Sequence, residues 1–259
     1  MKMGLADKVV VITGAAKGIG AAIARLAVDE GAGALTLTDR DGPGLEQIAA
    51  DLKGRAEVAL IVADLADTAA PAAIAAATKA RFGRIDALVN AAGLTTRASM
   101  LTGTPAIWDE LFAVNARASF FLMQAAITDM RARAAPGSIV NILSMNAYCG
   151  IAELAIYAAT KAALATLTRN AAHAHMSDKI RVNGINLGWV ATESEHHMQA
   201  QVLGRGPDWL AAEAGRQPLG RLITADEAAR LAVFLLGDAS VPMSGAMVDL
   251  EQKVAGAIG

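Results

Sequence analysis

Residues Thr13–Gly20, which read Thr-Gly-Ala-Ala-Lys-Gly-Ile-Gly, decide the fold of this chain. The run Val9–Ile12 directly before them is wholly apolar and predicts a short buried strand. Apolar residues then recur at helical spacing, at Ile19, Ile23, Leu26 and Ala27. The stretch is therefore predicted to be a turn that joins a buried strand to a helix.

Three glycines in this turn favour a bound phosphate group. Gly14 permits backbone angles closed to other residues, Gly18 lets the chain approach a ligand without a Cβ, and Gly20 lets the helix pack closely on the strand. The free N–H groups and the positive dipole end of the helix favour a pyrophosphate above the loop. We expect a dinucleotide there, although three glycines near a turn also occur as simple turn chemistry.

The spacing of these glycines differs from the common G-x-G-x-x-G fingerprint. It resembles the N-terminal motif of the short-chain dehydrogenase/reductase family, Thr-Gly-x-x-x-Gly-Ile-Gly. Together with the later motifs described below, the resemblance covers almost the whole chain, from about Leu5 to Glu251. It implies a nicotinamide cofactor bound by a Rossmann-type domain.

Composition bounds the function classes. The 259 residues, with alternating strand and helix patterns, predict one continuous α/β domain over residues 1–259. The net charge of −2 includes no basic block that would favour nucleic acid or an anionic membrane. We expect no signal sequence in Met1–Lys8 and no membrane span in Ala-rich runs such as Ala69–Ala77. The single cysteine, Cys149, excludes an internal disulfide and agrees with a cytoplasmic location.

An acidic residue follows the second predicted strand, Ala34–Thr38. Asp39 falls 19 residues beyond Gly20, where a carboxylate can accept hydrogen bonds from both hydroxyls of the adenosine ribose. Because it would repel a 2′-phosphate, Asp39 favours NAD over NADP. Lys17 and Arg40 could each meet a phosphate, so NADP remains the alternative, and Asp39 could also be a simple strand-end residue.

Two further strands end in motifs that match the family. Val58–Val62 is followed by Asp64-Leu65, where the resemblance implies contact with the adenine edge, and a strand-end cap is the alternative. Ala87–Asn90 is followed by Ala91-Ala92-Gly93. This sequence is similar to the family's Asn-Asn-Ala-Gly except at Ala91, which puts a local strand-stabilising hydrogen bond in doubt.

Four polar residues resemble the catalytic tetrad of the family. Asn115 lies within a predicted long or broken helix over about residues 105–134, and Ser144 ends the strand Ser138–Leu143. Tyr157 follows thirteen residues later and Lys161 four after that, a spacing that places both on one helix face. The pair alone is common, but the full set in order resembles the tetrad.

The resemblance implies a role for each member. Tyr157 would be the general base, Ser144 would hold the substrate oxygen, Lys161 would bond the nicotinamide ribose, and Asn115 would hold a relay water. A free phenol has a pKa of about 10, so a base acting near neutral pH needs a lowered value. We expect Lys161 and the positive nicotinamide ring to lower it.

Later segments complete the predicted cofactor site. Leu187-Gly188 replaces the family's usual Pro-Gly after the strand Arg181–Asn186, and Thr192 keeps the position that binds the carboxamide. Residues 193–217 suit a mobile substrate-covering lid. At the C-terminal end, Glu251-Gln252-Lys253 stands where the family commonly shows Asp-Gly-Gly. The cofactor contacts implied are Gly14, Lys17, Gly18, Ile19, Gly20, Asp39, Arg40, Asp64, Leu65, Asn90, Ala91, Gly93, Tyr157, Lys161, Gly188, Val190 and Thr192.

Seven positions are expected to border the substrate pocket. Positions expected at the pocket are more polar than a steroid or fatty acyl pocket needs, which favours a sugar or polyol, although each could be a surface residue; they are Thr95, Arg97, Asn146, Glu153, Trp189, His196 and His197. His173 and His175 are two apart and do not share a helix face, so no metal site is expected.

The sequence thus predicts a doubly wound, mainly seven-stranded parallel sheet with helices on both faces. The resemblance implies an NAD-dependent dehydrogenase of a secondary alcohol or ketone, assembled by analogy as a homotetramer. An NADP-dependent carbonyl reductase is the first alternative. A non-catalytic nucleotide-binding protein is the second, and its signature would be the loss of a tetrad member.

Overall fold

Strand β1 (Val9–Thr13) is an inner strand of a parallel sheet in the computed structural model, which describes residues 3–255. The other strands of this sheet are β2 (Ala34–Asp39), β3 (Glu57–Val62), β4 (Ala87–Asn90), β5 (Gly137–Ile142), β6 (Ile180–Leu187) and β9 (Met247–Leu250). The order across the seven-stranded sheet is β3-β2-β1-β4-β5-β6-β9, and all neighbouring pairs are parallel. The predicted fold class is confirmed.

The strand sequences explain why the sheet lies in the core. Every residue of β1 and of β6 is buried, as expected for parallel strands covered on both faces. The strand order reverses at β1, since Val10 pairs with Leu35 of β2 on one side and with Ala87 of β4 on the other. In open α/β sheets this reversal leaves a crevice at the carboxyl ends of the strands, where ligands bind.

Helices cover both faces of the sheet, and the described bounds are α1 (Gly18–Asp29), α2 (Gly42–Asp51), α3 (Ala70–Phe82), α4 (Pro105–Phe112), α5 (Ala118–Ala132), α6 (Ala155–His175), α7 (Glu193–His197), α8 (Trp209–Ala214) and α9 (Ala225–Leu236). Helices α1 and α9 pack together in one core layer. Helices α3, α5 and α6 contribute to the layer on the opposite face.

The region predicted as one long or broken helix is broken. A π-helical turn, Ala113–Arg117, separates α4 from α5. By length and composition Pro105–Ala132 is apolar enough to cross a membrane, and 61% of its apolar window is buried inside the fold. Because α5 packs on α3 and on strands β4 and β5, this segment is accounted for as a core element.

A small second sheet was not predicted from the sequence. Strand β7 (Val190–Ala191) pairs in parallel with β8 (Ile223–Thr224). Strand β7 precedes α7, and β8 precedes α9. Strands of two residues carry no periodicity that sequence analysis can detect.

Two departures from the family pattern find a structural explanation at the end of β6. Leu187 is buried and pairs with Leu250, so the strand continues through the position usually held by proline. The backbone N–H of Gly188 donates to the Leu250 carbonyl at 2.9 Å. The Glu251 carboxylate packs against Gly188, in space that a Cβ at that position would occupy.

Candidate active site

A cleft of about 710 Å³ opens at the carboxyl ends of β1, β2 and β4. Fourteen of the predicted cofactor and substrate residues line it, namely Gly14, Lys17, Gly18, Ile19, Gly20, Asp39, Arg40, Asp64, Leu65, Ala91, Gly93, Thr95, Thr192 and His197. Sequence analysis missed other lining residues, among them Thr38, Thr96, Glu110 and Met198. A volume of this size suits a cofactor site.

The loop between β1 and α1 fits a pyrophosphate. Gly14 has φ of +66°, and a Cβ there would lie 2.8 Å from the backbone of Ala92. A Cβ at Gly20 would collide with the Gly14 carbonyl, so the tight turn depends on both glycines. Lys17, the N-cap of α1, makes no side-chain cap, which leaves the first N–H groups of the helix without a side-chain partner.

Asp39 is held by the backbone at the end of β2. One carboxylate oxygen accepts from Ala16 N at 3.2 Å and the other from Asp41 N at 3.1 Å. Each carboxylate oxygen has a second lone pair that remains able to accept from a ribose hydroxyl. The residues of the cleft therefore fit a dinucleotide cofactor.

Thr13 supports the segment that carries Ala91 and had not been predicted as a site residue. Its buried hydroxyl accepts hydrogen bonds from Ala91 N and Ala92 N, both at 3.0 Å. This explains how the segment is held although the usual second asparagine is replaced by alanine. Only the residue's place at the end of a buried strand could have indicated it.

Asn90 lies away from the cleft. Its side-chain amide donates to Asn141 Oδ1 at 2.8 Å, and Asn141 in turn donates to Thr168 Oγ1 at 2.8 Å. The structure thus gives the Asn90 side chain a core contact with β5, and its assignment as a cofactor contact stays a prediction.

Asn115 lies in the π-helical turn and joins three elements. Its Oδ1 accepts from Leu94 N at 2.8 Å, while its Nδ2 donates to the Leu94 carbonyl at 2.9 Å and to Thr160 Oγ1 at 3.1 Å. A π-helical turn inside a helix often occurs at a functional site. Here it places a fully buried amide beside the segment after β4 and beside α6.

Lys161 and Tyr157 lie on one face of α6, as their spacing predicts. The Lys161 Nζ donates to the Ile142 carbonyl at 2.7 Å and lies 5.8 Å from the centre of the Tyr157 ring. A Cβ at Gly93 would lie 3.4 Å from both Lys161 Nζ and Asn115 Oδ1. The predicted catalytic residues therefore adjoin the cofactor cleft at Gly93.

Ser144 lies two residues after the end of β5 and faces the same phenol. Its hydroxyl accepts from Asn146 N and Asn146 Nδ2, both at 3.2 Å. A hydrogen bond with Ser144 lowers the pKa of Tyr157. Asn146, predicted as a substrate residue, is thus directly bonded to a predicted catalytic residue.

The direction of the Tyr157 pKa corrects one expectation. Burial of the phenol raises its pKa, and this outweighs the Ser144 hydrogen bond that lowers it. Glu195 raises the value further and Arg97 lowers it. Burial also lowers the pKa of Lys161 to about 8, which weakens this residue as a fixed positive charge beside the phenol. The protein's own groups therefore do not supply the downward shift that we expected.

Of three predicted cofactor contacts in the second half of the chain, only Thr192 lines the cleft. The Thr192 hydroxyl accepts from Glu195 N at 3.2 Å as the N-cap of α7, so its proton remains available. Gly188 packs against Glu251, and Val190 is buried in the core, so neither lines the cleft.

Residues 193–217 contain α7, α8 and a π-helical turn at Met198–Val202, and His196 and His197 lie in α7. Trp189 Nε1 and Gln199 Nε2 donate to Glu195 Oε1 at 2.9 and 2.7 Å. His196 accepts from Trp209 Nε1 at 3.0 Å, which gives this histidine a structural contact. The mobility of this segment stays a prediction.

The remaining substrate candidates, Glu153 and Arg97, differ in their surroundings. The Glu153 side chain is exposed, and its backbone carbonyl accepts from Ala98 N at 2.7 Å. Arg97 is not among the residues that line the cleft, and its guanidinium lies 3.8 Å from the Glu195 carboxylate. Within residues 3–255 no group of histidine, cysteine and acidic residues could hold a metal ion, and His175 instead pairs with Asp178.

Comparison with known proteins agrees with this geometry. A family model described as enoyl-(acyl carrier protein) reductase matches residues 14–251. The chain is 35% identical to cis-4-hydroxycyclohexanecarboxylate dehydrogenase of Sinomonas cyclohexanicum, over 95% of this chain and 96% of the relative. It is also 35% identical to D-threitol dehydrogenase of Mycolicibacterium smegmatis, over 93% and 90% of the two chains.

The fold matches a solved structure over its full length. L-sorbose reductase of Gluconobacter frateurii, solved with NADPH and L-sorbose, superposes with a TM-score of 0.93 over 100% of both chains, at 29% identity. The folds thus agree closely although fewer than a third of the residues are identical.

Proposed function

The chain belongs to the short-chain dehydrogenase/reductase family, and on that premise we propose that it transfers a hydride between NAD(H) and a secondary alcohol or ketone. The observation that carries the proposal is the juxtaposition of Ser144, Tyr157, Lys161 and Asn115 with the cofactor cleft at Gly93. All four tetrad positions are filled, which opposes the non-catalytic alternative. The oxidoreductase class is also that of the named relatives.

Each residue would act through the atoms described above. During oxidation Tyr157 Oη takes the hydroxyl proton of the substrate, and Ser144 Oγ holds the same oxygen. Lys161 Nζ binds the cofactor's ribose, and Asn115 anchors the proton path to solvent. The nicotinamide ring, when bound, accepts the hydride and brings the positive charge that lowers the phenol's pKa. In reduction the Tyr157 phenol returns the proton to the carbonyl oxygen.

The preference for NAD rests on Asp39. Its carboxylate is fixed by two backbone N–H groups at the end of β2, where a 2′-phosphate would meet a negative charge. Lys17 and Arg40 also line the cleft, and the similar L-sorbose reductase was solved with NADPH. NADP-dependent reduction on the same scaffold is therefore the second candidate.

A sugar or polyol is the proposed substrate class, supported by the polar residues around Tyr157 and by the names of a threitol and a sorbose enzyme among the similar proteins. The test is a panel of sugars, polyols and simple secondary alcohols incubated with NAD or NADP, following the absorbance of the reduced cofactor. We expect turnover with NAD and a polyhydroxylated compound. Failure of every alcohol and ketone with both cofactors would overturn the proposal.

We further propose a cytoplasmic homotetramer. Trp108, Phe120 and Phe121 are 39–47% exposed on α4 and α5, the helices that the family uses for subunit contacts by analogy. Sedimentation equilibrium should give about four times the 26.5 kDa mass of one chain. A monomer would contradict this assembly.

A further inference from the structure

Arg97 is a partly buried cation whose guanidinium has no close hydrogen-bond acceptor within residues 3–255. Its side chain is only 21% exposed, and it donates no hydrogen bond to any group in residues 3–255. A guanidinium carries a rigid fork of N–H donors that is suited to a carboxylate. None of its nitrogen atoms is fully buried, so these donors are open to solvent and can reach a ligand.

The backbone holds Arg97 beside the catalytic helix. The next residue, Ala98, forms an isolated bridge with Leu154, and Ala98 N donates to the Glu153 carbonyl at 2.7 Å. Leu154 precedes α6 directly, and Tyr157 lies in the first turn of that helix. The position of Arg97 is therefore fixed relative to the phenol, and its charge lies near enough to lower the phenol's pKa.

Glu195 is the nearest carboxylate to Arg97, but its partners lie elsewhere. The separation of 3.8 Å between Arg97 Nη2 and Glu195 Oε1 is too long for a hydrogen bond. The same oxygen already accepts from Trp189 and Gln199. The N–H groups of Trp189 and Gln199 would still donate to Glu195 if Arg97 bonded the carboxylate of a ligand. The guanidinium of Arg97 has five N–H donors, enough for both carboxylates.

From this geometry we infer that Arg97 forms a subsite for a carboxylate carried by the substrate, next to the carbon that reacts at Tyr157. The inference rests on the proposed function and narrows its substrate class to hydroxylated or keto acids, including acids of the sugar series. Arg97 is thereby a specificity residue, because it contacts the carboxylate of the substrate and not the carbon that gives or accepts the hydride.

The test compares each acid with its uncharged amide, using levulinate and levulinamide with NADH, and D-gluconate and D-gluconamide with NAD. The ratio of kcat/KM for acid over amide is measured in the wild type, Arg97→Gln and Arg97→Lys. We expect the wild type to favour the acid and Arg97→Gln to lower the ratio by about 10- to 100-fold, mainly through KM. Arg97→Lys keeps the charge without the fork and should fall between them. Any effect of Arg97 on the phenol is common to both substrates and cancels in the ratio.

The variant Glu195→Gln distinguishes a carboxylate subsite at Arg97 from a purely structural ion pair between Arg97 and Glu195, which would only hold residues 193–217 over the site. If Arg97 only paired with Glu195, both variants would slow acid and amide alike and leave the ratio unchanged. A carboxylate subsite instead predicts that Glu195→Gln raises the ratio, because a competing negative charge is removed. Equal wild-type rates for acid and amide, or a ratio unaffected by Arg97→Gln, would overturn the inference.

A binding measurement tests the carboxylate subsite separately from the proposed dehydrogenase function. Levulinate and levulinamide are titrated into the complex of each variant with NADH, following cofactor fluorescence. Tighter binding of levulinate than of its amide, lost in Arg97→Gln, would support the subsite even without turnover. Absence of this preference would reject the subsite even if alcohols are oxidised.

Discussion

At Tyr157 the chain has placed a phenol where ionisation is opposed. Burial raises its pKa, and only Ser144 and Arg97 act in the other direction. A proton acceptor in such surroundings depends on charge that arrives with the cofactor, so base strength and cofactor binding are coupled. The residue should therefore be inactive as a base until the cleft is filled.

Replacing Tyr157 with phenylalanine removes the proton acceptor and little else. We expect kcat to fall by about a hundredfold to ten-thousandfold, the range for loss of a general acid–base group. NADH binding, measured by fluorescence titration, should be retained because the ring still fills its buried position. Near-normal turnover in Tyr157→Phe would remove this residue from the mechanism.

Lys161 makes stability depend on pH. Its pKa is lowered from 10.5 in the unfolded chain to about 8 in the folded protein, so between these values the unfolded state binds more protons. The free energy of unfolding therefore rises with pH across this window, by at most roughly 3 kcal/mol. Below about pH 8 the cost of the buried charge is fully present.

The matched variant for this prediction is Lys161→Met, which keeps a long side chain without the charge. Urea unfolding of cofactor-free protein at about pH 7.5, 8.5 and 9.5 should show the wild type gaining stability relative to the variant. Other titrating groups are shared by both proteins and cancel in the comparison. A difference that stays constant over this range would show that burial does not lower the lysine's pKa.

At the level of elements, the π-helical turn Ala113–Arg117 links the two halves of the site. Its Asn115 holds both backbone groups of Leu94 and the hydroxyl of Thr160. The Thr160 hydroxyl also donates to the Tyr157 carbonyl at 2.7 Å. One amide therefore sets the distance between the segment after β4 and the helix that carries the phenol.

Asn115→Leu should weaken both stability and catalysis. It leaves the N–H and carbonyl of Leu94 without partners, which costs about 1–3 kcal/mol for each buried group left unpaired. Thr160→Val is the control, since it removes only one of the three Asn115 bonds and should cost less. Urea unfolding and kcat are measured for both variants. Equal effects of the two substitutions would contradict the bridging role of Asn115.

Sequence analysis predicted the elements with strong periodicity and missed those defined by tertiary contact. Six of the seven sheet strands and helix α1 follow from apolar runs and helical spacing, and the predicted bounds of these strands agree within one residue. The strands Val190–Ala191 and Ile223–Thr224 are too short to carry such a signal. The same limit applied to Thr13, whose role depends on a segment 78 residues away.

Within the site, the spacing of the motifs predicted which residues lie in the cleft. It did not predict the pKa shifts of those residues. The glycine loop and Asp39 lie where the motif predicted, because a strand-to-helix turn has little freedom. The shift of the Tyr157 pKa depends on burial and on Arg97 and Glu195, which are far apart in sequence. No local pattern shows that these two charges meet beside the phenol.

At the scale of the whole molecule, the cleft is assembled from both halves of the sheet. Gly14 and Asp39 come from the first half, whereas Gly93 and Thr192 come from the second. A cofactor that bridges them binds the folded state only, so binding should stabilise the entire domain by mass action. Melting temperature therefore reports cofactor preference without requiring any knowledge of the substrate.

We expect NAD at about one hundred times its Kd to stabilise the fold by about 2.7 kcal/mol, which corresponds to a rise of about 5–10 °C in Tm. NADP at the same concentration should give a smaller rise, because its 2′-phosphate meets the fixed carboxylate of Asp39. Asp39→Ala should narrow the gap between the two cofactors. Asp64→Ala is the matched control, since it removes another carboxylate of the same cleft and should weaken both cofactors alike. Asp39 does not recognise the ribose if Asp39→Ala leaves the difference in Tm rise between NAD and NADP unchanged. The same conclusion follows if Asp64→Ala reduces this difference as much as Asp39→Ala does.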